Sequence, residues 1–431
     1  MDLNQQNYGQ REKQPNKHDW GAFLGGLTIG IFSTLLLVCA VLLVIRFWTP
    51  KNERNKADNG DVSDQAVSRN VNGILTPETA DKINQLVSDI HKNFYLRDVT
   101  DEELTDGIYK GIMEALDDPY SVYYTPEEFE ELINSFEGVY YGIGAYISLD
   151  NETSLPKISG VIKGTPAEET GLRNNDLIYK VDGTETYGMQ LEDAVKMIKG
   201  DENTQVLLTL IREGKQMDVS VTRRKVETPT VNSEMLENGM GYLQIVSFDD
   251  VTLNQFLNAK SELEEAGMKG LILDLRANPG GNLDTVVDIA RNLLPEGLVV
   301  YTEDKKENRR DYKCKGDKEI KIPMVVLVDM NSASAAEILA GAIQDHKKGT
   351  LIGTTTFGKG IVQSVIPNRK DGSAIKITVS SYFTPNGRNI HKIGIEPDIV
   401  CEFDAEKYYD EENPVDTQLE KAKEVLAEMM K

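Results

Sequence analysis

The chain of 431 residues has little cysteine, little tryptophan and no surplus of positive charge. Its three cysteines, Cys39, Cys314 and Cys401, are too widely spaced for a disulfide framework, and no Cys-x-x-Cys pair indicates a zinc site. Asp and Glu number 70 against 47 Lys and Arg, a net charge of −23, which argues against nucleic-acid binding. The length predicts about two to four domains, and a hydrophobic content of 40% is typical of folded proteins.

One long apolar run lies near the N-terminus. No charged residue occurs between Gly21 and Ile45, and about 20 helical residues span the hydrocarbon core of a bilayer. The two tryptophans, Trp20 and Trp48, flank the run, as expected for aromatic rings at membrane interfaces. The run is longer than the apolar region of a cleaved signal peptide and lacks a small-residue cleavage site. We therefore predict a cytoplasmic tail over residues 1–20, a transmembrane anchor over 21–48 and a polar linker over 49–72.

Three changes of pattern divide the rest of the chain. Helical periodicity and the N-terminal capping signals at Thr100 and Thr125 predict a helical domain over residues 73–137. Six short β runs, the first over Gly142–Ile147, and two helical segments predict a partly open barrel over 138–225. An α/β pattern over 226–402 includes a helix at about Leu283–Leu294, and an amphipathic helix ends the tail over 403–431.

Ser334 is the first candidate catalytic residue. It follows the apolar run Met324–Val328 and a tight turn, and it precedes a helix starting at Ala335. The N–H groups at a helix N-terminus favour a developing anion. Ser334-x-x-Glu337 is also a capping box, so a purely structural role remains open at this point.

A serine nucleophile needs a base, and the chain offers two candidates. Lys359 lies between Gly358 and Gly360, and a neutral, buried lysine can deprotonate a serine. Gln363 follows four residues later and can hold the amine by a hydrogen bond. His391 is the alternative base, although no Gly-x-Ser-x-Gly elbow supports a Ser-His hydrolase.

A second loop follows another apolar strand, at Asp274–Asn282. Gly280 and Gly281 can present backbone N–H groups as half of an oxyanion hole, with the N–H of Ala335 as the other half. An ordinary β-to-α turn is the competing interpretation.

Together these motifs resemble one family, the C-terminal processing peptidases, also called tail-specific proteases, from about residue 75 to 430. The markers stand in order: Leu116-Asp-Asp-Pro-Tyr-Ser121, Tyr124, Pro126-Glu-Glu-Phe129, Gly142-Ile-Gly144, Thr165-Pro-Ala167, Gly171-Leu172, Asp176-Leu-Ile178, Asp274-Leu-Arg276, Pro279-Gly-Gly281, Ser332-Ala-Ser-Ala-Ala-Glu337, Phe357-Gly-Lys-Gly360, Gln363 and Gly394-Ile-Glu-Pro-Asp398. The resemblance implies a multidomain α+β fold. After the membrane-anchor helix and the helical domain, residues 138–225 form a PDZ domain, and residues 226–402 form an α/β serine protease core of the ββα, crotonase-like or ClpP-like type.

The resemblance also implies a serine endopeptidase with a Ser-Lys dyad and no metal or other cofactor. Ser334 is then the nucleophile, Lys359 the general base and Gln363 the residue that orients the lysine. Gly280 or Gly281 forms the oxyanion hole with Ala335, whereas Asp345 is treated as structural.

Substrates are expected to be proteins with accessible C-termini, bound as an added strand by the PDZ domain. The predicted groove is built around Tyr141, Gly142, Ile143 and Gly144, with Arg173 as a candidate charge partner. Basic residues flank the anchor on both sides, so only the resemblance places the catalytic part outside the cytoplasm, on a single-pass membrane protein. It also implies a homodimer. The alternatives are a catalytically inactive, membrane-anchored PDZ scaffold and a Ser-His hydrolase.

Overall fold

The computed structural model describes residues 73–410 and 412–431. The predicted cytoplasmic tail, anchor and linker lie outside these residues. Within the described part, none of the helices is both long and apolar enough to cross a membrane.

Three helices form the N-terminal part: α1 (Pro77–Asn93), α2 (Asp101–Glu114) and α3 (Pro126–Glu137). Each begins after a threonine whose hydroxyl accepts a hydrogen bond from a backbone N–H of the first turn. The capping box predicted from Thr100 is present, because Glu103 bonds back to the cap residue. The helix expected after Thr125 also begins with a capping box, through Glu128. A short strand, β1 (Val122–Tyr124), lies between α2 and α3 and joins a sheet of the core.

A two-stranded ribbon carries a separate domain. Its strands are β2 (Val139–Gly142) and β9 (Arg224–Glu227), which run antiparallel. The domain between them contains β3 (Ala145–Leu149), β4 (Pro156–Val161), α4 (Pro166–Glu169), β5 (Leu177–Val181), β6 (Thr184–Glu185), α5 (Leu191–Ile198), β7 (Gln205–Arg212) and β8 (Lys215–Thr222). Its sheet has the order β3-β4-β5-β7-β8, with β6 beside β5, so β3 is an edge strand.

The single strand predicted over Gly142–Ile147 is wrong. Gly144 adopts a φ of +85°, and the chain turns there between β2 and β3. Thr165 packs against this turn, with its hydroxyl 2.6 Å from the carbonyl oxygen of Ile162 and 3.1 Å from that of Gly144. A Cβ at Gly144 would lie 2.2 Å from Thr165 Cβ, so only glycine fits.

The main sheet of the core has the order β10-β11-β12-β15-β16-β19. Its strands are β10 (Val231–Met235), β11 (Met240–Ile245), β12 (Gly270–Asp274), β15 (Met324–Val328), β16 (Thr350–Gly353) and β19 (Ile399–Val400). All neighbouring pairs are parallel except β10 with β11. The helices are α6 (Thr252–Glu265), α7 (Leu283–Ala290), α8 (Ala335–Asp345), α9 (Ala405–Tyr408) and α10 (Thr417–Met429). Helix α7 ends at Ala290, before its predicted limit at Leu294, because the chain tightens into turns in which the N–H groups of Asn292 and Leu293 donate to the carbonyls three residues earlier.

Both faces of this sheet are covered. Leu271 and Leu273 of β12 pack in the cluster that includes α6, α7 and α8, whereas Ile272 packs in the cluster that includes Leu426 of α10. This alternation explains why β12 and β15 are apolar at every position but the last one of β12, Asp274.

A second, antiparallel sheet contains β13 (Gly297–Asp304), β14 (Arg309–Cys314), β17 (Ile361–Pro367) and β18 (Ala374–Phe383). Strand β17 lies on one side of β18, and both β1 and β13 lie on the other. The N-terminal helices are therefore attached to the core through a strand pair that joins residues about 250 positions apart.

Candidate active site

The candidate site lies at the carboxyl ends of four parallel strands, β11, β12, β15 and β16. The loops that follow them span residues 246–251, 275–282, 329–334 and 354–360. Parallel strands bring their carboxyl ends to one edge of the sheet, which is where α/β proteins form ligand crevices. The loops with Gly280, Ser334 and Lys359 therefore meet at this edge.

Ser334 occupies a strained position at the start of α8. Its φ of 55° and ψ of −112° are unusual for a residue with a side chain, and it is only 2% exposed. The two alanines that follow it are fully buried. The hydroxyl of Tyr382 donates to the carbonyl of Ser334 at 3.1 Å, which helps to hold this conformation.

Glu337 connects the loop of Ser334 with the loop of Lys359. Its Oε2 accepts hydrogen bonds from the backbone N–H groups of Ser334 at 2.9 Å and Lys359 at 2.8 Å. Its Oε1 accepts from the Thr356 hydroxyl at 2.6 Å and the Gly358 N–H at 2.7 Å. Burial raises the pKa of Glu337, and these four hydrogen bonds oppose that rise. The predicted capping box is thus present at the start of α8, and its glutamate fixes the lysine loop as well.

Lys359 is 3% exposed, in the loop between β16 and β17. Gly358 has a φ of +87°, and a Cβ there would lie 2.9 Å from the backbone nitrogen of Ile393. The ammonium nitrogen of Lys359 lies 4.5 Å from the ring centroid of Tyr120. The lysine is therefore enclosed by the N-terminal segment as well as by the core.

Gln363 is buried on β17, just after a bulge in its pairing with β18. Its Nε2 donates to the hydroxyl of Thr378 at 3.3 Å. Its Oε1 is buried and has no hydrogen-bond partner among residues 73–410 and 412–431. A buried acceptor without a partner is costly in a purely structural side chain.

Of the two glycines in the β12–α7 loop, Gly280 borders Ser334. A Cβ on Gly280 would lie 2.8 Å from Ser334 Cβ and 2.9 Å from Ala335 N. A Cβ on Gly281 would instead lie 2.4 Å from the carbonyl oxygen of Phe248. The N–H of Gly280 donates to Asn278 Oδ1 at 2.8 Å, which fixes the loop.

His391 lies beside the lysine loop. A Cβ on Gly360 would lie 2.6 Å from its backbone nitrogen. Within the described part of the chain, no carboxylate bonds to its ring, and Nδ1 is buried without a partner. Burial lowers the pKa of His391. The acid that orients the histidine of a Ser-His-Asp triad is thus missing here.

The predicted peptide-binding residues divide between two elements. Tyr141 and Gly142 belong to strand β2 of the ribbon, whereas Ile143 is buried in the core of the inserted domain and accepts a hydrogen bond from Ala167 N. Gly144 makes the turn into β3. The guanidinium of Arg173 is exposed and makes no ion pair or hydrogen bond in the described segments.

Asp345 ends α8, away from Ser334 at its start. Its carboxylate accepts from the N–H of Asn386 at 2.8 Å and from the guanidinium of Arg388 at 2.5 Å, which fits the structural role expected from sequence. No cluster of side chains suited to a metal ion occurs in the described residues.

Sequence reasoning missed three residues of this site: Asp118, Tyr120 and Thr378. Asp118 and Tyr120 stand in the Leu116–Ser121 motif, which offered a signal of importance but none of location. Thr378 carries no motif, and only the pairing of β17 with β18 places it opposite Gln363.

Comparison with known families defines the class of protein. A profile described as Peptidase family S41 matches residues 239–401, and a PDZ domain profile matches residues 157–212. A profile described as the activating protease CtpB N-terminal domain matches residues 36–128. The chain is thus a serine-type peptidase of multidomain α+β architecture with a PDZ domain.

Individual relatives of known sequence or structure identify the family within this class of peptidase. The carboxy-terminal processing protease CtpA of Bacillus subtilis is 38% identical over 325 residues, which cover 75% of this chain and 69% of the relative. The carboxyl-terminal-processing protease of Synechocystis is 34% identical, over 78% of this chain and 82% of the relative. A solved S41 protease from Bacteroides fragilis shares the fold, with a TM-score of 0.51 at 17% identity over 80% of this chain and 97% of the other. This chain belongs to the carboxy-terminal processing proteases of peptidase family S41.

Proposed function

We propose that the protein cleaves protein substrates with a Ser334–Lys359 dyad. The observation that carries this proposal is the Glu337 carboxylate, which accepts from the backbone N–H groups of both residues. One buried acceptor thus fixes the nucleophile loop and the lysine loop relative to each other. A catalytically inactive scaffold has no need of this arrangement.

In the proposed reaction, the neutral amine of Lys359 takes the proton of the Ser334 hydroxyl as the serine oxygen attacks the substrate carbonyl. The oxyanion is stabilised by the Ala335 N–H, at the N-terminus of α8. The Gly280 loop borders this position, but the Gly280 N–H already donates to Asn278 Oδ1 and serves to fix the loop. Lys359 then donates its proton to the leaving amine, and a water molecule hydrolyses the acyl-enzyme with Lys359 again as base. Gln363 is proposed to orient the amine through its Oε1.

The PDZ domain is proposed to bind the substrate C-terminus. Strand β3 pairs only with β4 in its sheet, so its other edge can accept an extended peptide. The turn at Ile143–Gly144 precedes this edge and is the proposed carboxylate site. A role for Arg173 is supported only by its exposed position near α4.

The dyad is tested with the full chain in detergent and an unstructured protein with an apolar C-terminus. We expect Ser334→Ala and Lys359→Ala to abolish cleavage, and His391→Ala and the exposed control Lys370→Ala to retain it. Amidation of the substrate C-terminus should raise KM if the PDZ domain binds the carboxylate. Cleavage by Lys359→Ala would disprove the dyad, and loss in His391→Ala alone would favour the Ser-His alternative.

We further propose a single-pass membrane anchor over residues 21–48, with the catalytic part outside the cytoplasm. The uncharged run and its flanking tryptophans support the span. Since Trp20 and Trp48 are the only tryptophans, a lipid-attached quencher should reduce nearly all tryptophan emission of the full chain in vesicles. Emission unaffected by that quencher would contradict the anchor.

A homodimer is proposed as well. Helix α1 buries none of its residues, and Leu86 of α1, Phe94 beyond its end and Ile112 of α2 are exposed apolar side chains. Sedimentation of the protein in detergent should give twice the chain mass, and sedimentation as a monomer would refute the dimer.

A further inference from the structure

A carboxylate from the N-terminal part lies within the hydrogen-bond network of the site. Asp118 Oδ2 accepts from the hydroxyls of Ser121 at 2.6 Å and Thr378 at 2.7 Å, and its Oδ1 accepts from Tyr120 N–H at 3.1 Å. The N–H of Thr378 in turn donates to Ser121 Oγ at 3.2 Å. Asp118 is thereby fixed against β18, next to the strand that carries Gln363.

The direction of these hydrogen bonds determines the orientation of the Gln363 amide. A carboxylate only accepts, and a threonine hydroxyl has a single proton to donate. Thr378 gives that proton to Asp118, so its oxygen can only accept from Gln363, which must turn its Nε2 toward Thr378. The amide oxygen is then forced to the opposite side, where it is buried without a partner in the described part of the chain. An amine that serves as a base needs such an acceptor for its N–H.

The same carboxylate lies near Lys359, because Asp118 Oδ1 accepts from the N–H of Tyr120, whose ring centroid is 4.5 Å from the Lys359 ammonium nitrogen. Burial tends to raise the pKa of Asp118, but its three hydrogen bonds and the positive charge of Lys359 outweigh burial and lower that pKa. Among the described residues, other titratable groups near the lysine loop include Tyr120, whose ring faces the ammonium, Glu337 of α8 and His391 of the adjacent turn, which is itself next to Lys392. Asp118 favours the ammonium form of Lys359, since opposite charges stabilise each other.

We propose that Asp118 is a positioning residue of the catalytic site, which orients the Gln363 amide through Thr378 and sets, by its charge, the pH range in which Lys359 is an effective base. The inference rests on the proposed Ser-Lys dyad. It makes the N-terminal segment a part of the active site rather than only a neighbour of it.

The test compares the full chain with Asp118→Asn, Thr378→Val, Thr378→Ser and the exposed control Asp117→Asn, by kcat/KM against pH. Asp118→Asn should lower the alkaline plateau about 10- to 100-fold because the amide of Gln363 is free to reverse. It should also move the midpoint of the rising limb about 0.5 to 1.5 pH units lower, because the ammonium loses a stabilising charge. Thr378→Val should lower the plateau and keep the midpoint. Thr378→Ser keeps the hydroxyl and should recover most of the plateau lost in Thr378→Val, and the exposed Asp117→Asn should match the wild type.

A purely structural role would lower the plateau and leave the midpoint unmoved in Asp118→Asn, and that result overturns the proposal. If Asp118→Asn folds poorly, the Thr378 pair decides, because equal activity of the Val and Ser variants also overturns it. Activity in Lys359→Ala overturns the dyad itself. An inactive Lys359→Ala together with an unchanged Asp118→Asn overturns the role of Asp118 alone.

Discussion

The carboxylate of Glu337 accepts a hydrogen bond from the backbone N–H of Lys359 at 2.8 Å, across 22 positions of sequence. This contact, with the matching one to Ser334, makes the relative position of two loops depend on one buried side chain.

Glu337→Gln is expected to reduce activity strongly. Four donors face the carboxylate, and an amide has only one acceptor atom, so its NH2 group would oppose two of them. We expect a loss of about 2 to 4 kcal/mol in the free energy of unfolding and about 100-fold in kcat/KM. Thermal unfolding and steady-state kinetics measure both. The exposed Glu396→Gln serves as control, and wild-type activity in Glu337→Gln would show that the two loops keep their positions without it.

Gly280→Ala should inactivate the enzyme. At a φ of +105°, the new methyl group would lie within 3 Å of Ala333 O, Ser334 Cβ and Ala335 N, so Ser334 must move. Gly267 is a matched control, since its φ is +86° but nothing lies within 4 Å of a Cβ there. We expect kcat/KM to fall about 100-fold or more in Gly280→Ala and to stay near wild type in Gly267→Ala. Equal activities of the two variants would contradict this view of the loop.

Asp249 should make stability depend on pH. Burial raises its pKa from 3.8 to about 6, although the hydroxyl of Ser247 stabilises the carboxylate. The folded state then binds this proton more tightly than the unfolded state, so the contribution of Asp249 to stability is present below about pH 4 and is lost as pH rises through 6. Asp249→Asn should therefore be more stable than wild type at pH 8, by an amount on the order of 2 kcal/mol. Denaturant unfolding between pH 5 and 8 measures the difference in stability between Asp249→Asn and wild type. The surface substitution Asp201→Asn is the control and should not reproduce that difference. A difference that stays constant with pH would refute the prediction.

Asp416→Asn should loosen the C-terminal helix. Asp416 caps α10 and binds the buried guanidinium of Arg276 with both oxygens, at 3.0 and 2.8 Å. Burial tends to raise the pKa of Asp416, but Arg276 outweighs burial and lowers it. The contribution of the pair is thus present above the unfolded-state pKa and is lost in acid. Asparagine preserves the cap, so we expect the free energy of unfolding to fall by about 2 kcal/mol near neutral pH, through loss of the ion pair. Denaturant unfolding measures this change. The exposed Glu424→Gln serves as control and should show no change. A loss of equal size in strong acid would rule out the ion pair as its cause.

Local signals in the sequence predicted local structure well. Thr100 and Thr125 mark helix starts because a cap involves residues three apart, and Met324–Val328 is a strand with the predicted bounds because a fully buried strand must be apolar throughout. The hairpin of β13 and β14 has no such signal, since β14 reads Arg-Arg-Asp-Tyr-Lys-Cys and only two of its six residues are buried. The turn at Gly144 was missed because its partner, Thr165, is 21 residues away.

For the site, sequence alone left Ser334 as either a cap or a nucleophile and Lys359 as one of two bases. The motifs of the resemblance chose between these alternatives, and their roles stay predictions. The contacts of Glu337 and the approach of Asp118 to Thr378 were inaccessible, because both depend on how loops and strands far apart in sequence meet. Residue identity shows which groups are available, whereas the direction of each hydrogen bond follows only from the assembled fold.

The ribbon of β2 and β9 makes the PDZ domain an insertion whose two connections to the rest of the chain lie side by side, with Gly142 opposite Arg224. A domain attached in this way can be exchanged for another without changing how the core is threaded. Under the proposed function, substrate choice and bond cleavage are therefore separable in this architecture. Replacing the domain between Gly142 and Arg224 with another PDZ domain offers a route to proteases that recognise other C-termini and keep the same catalytic core.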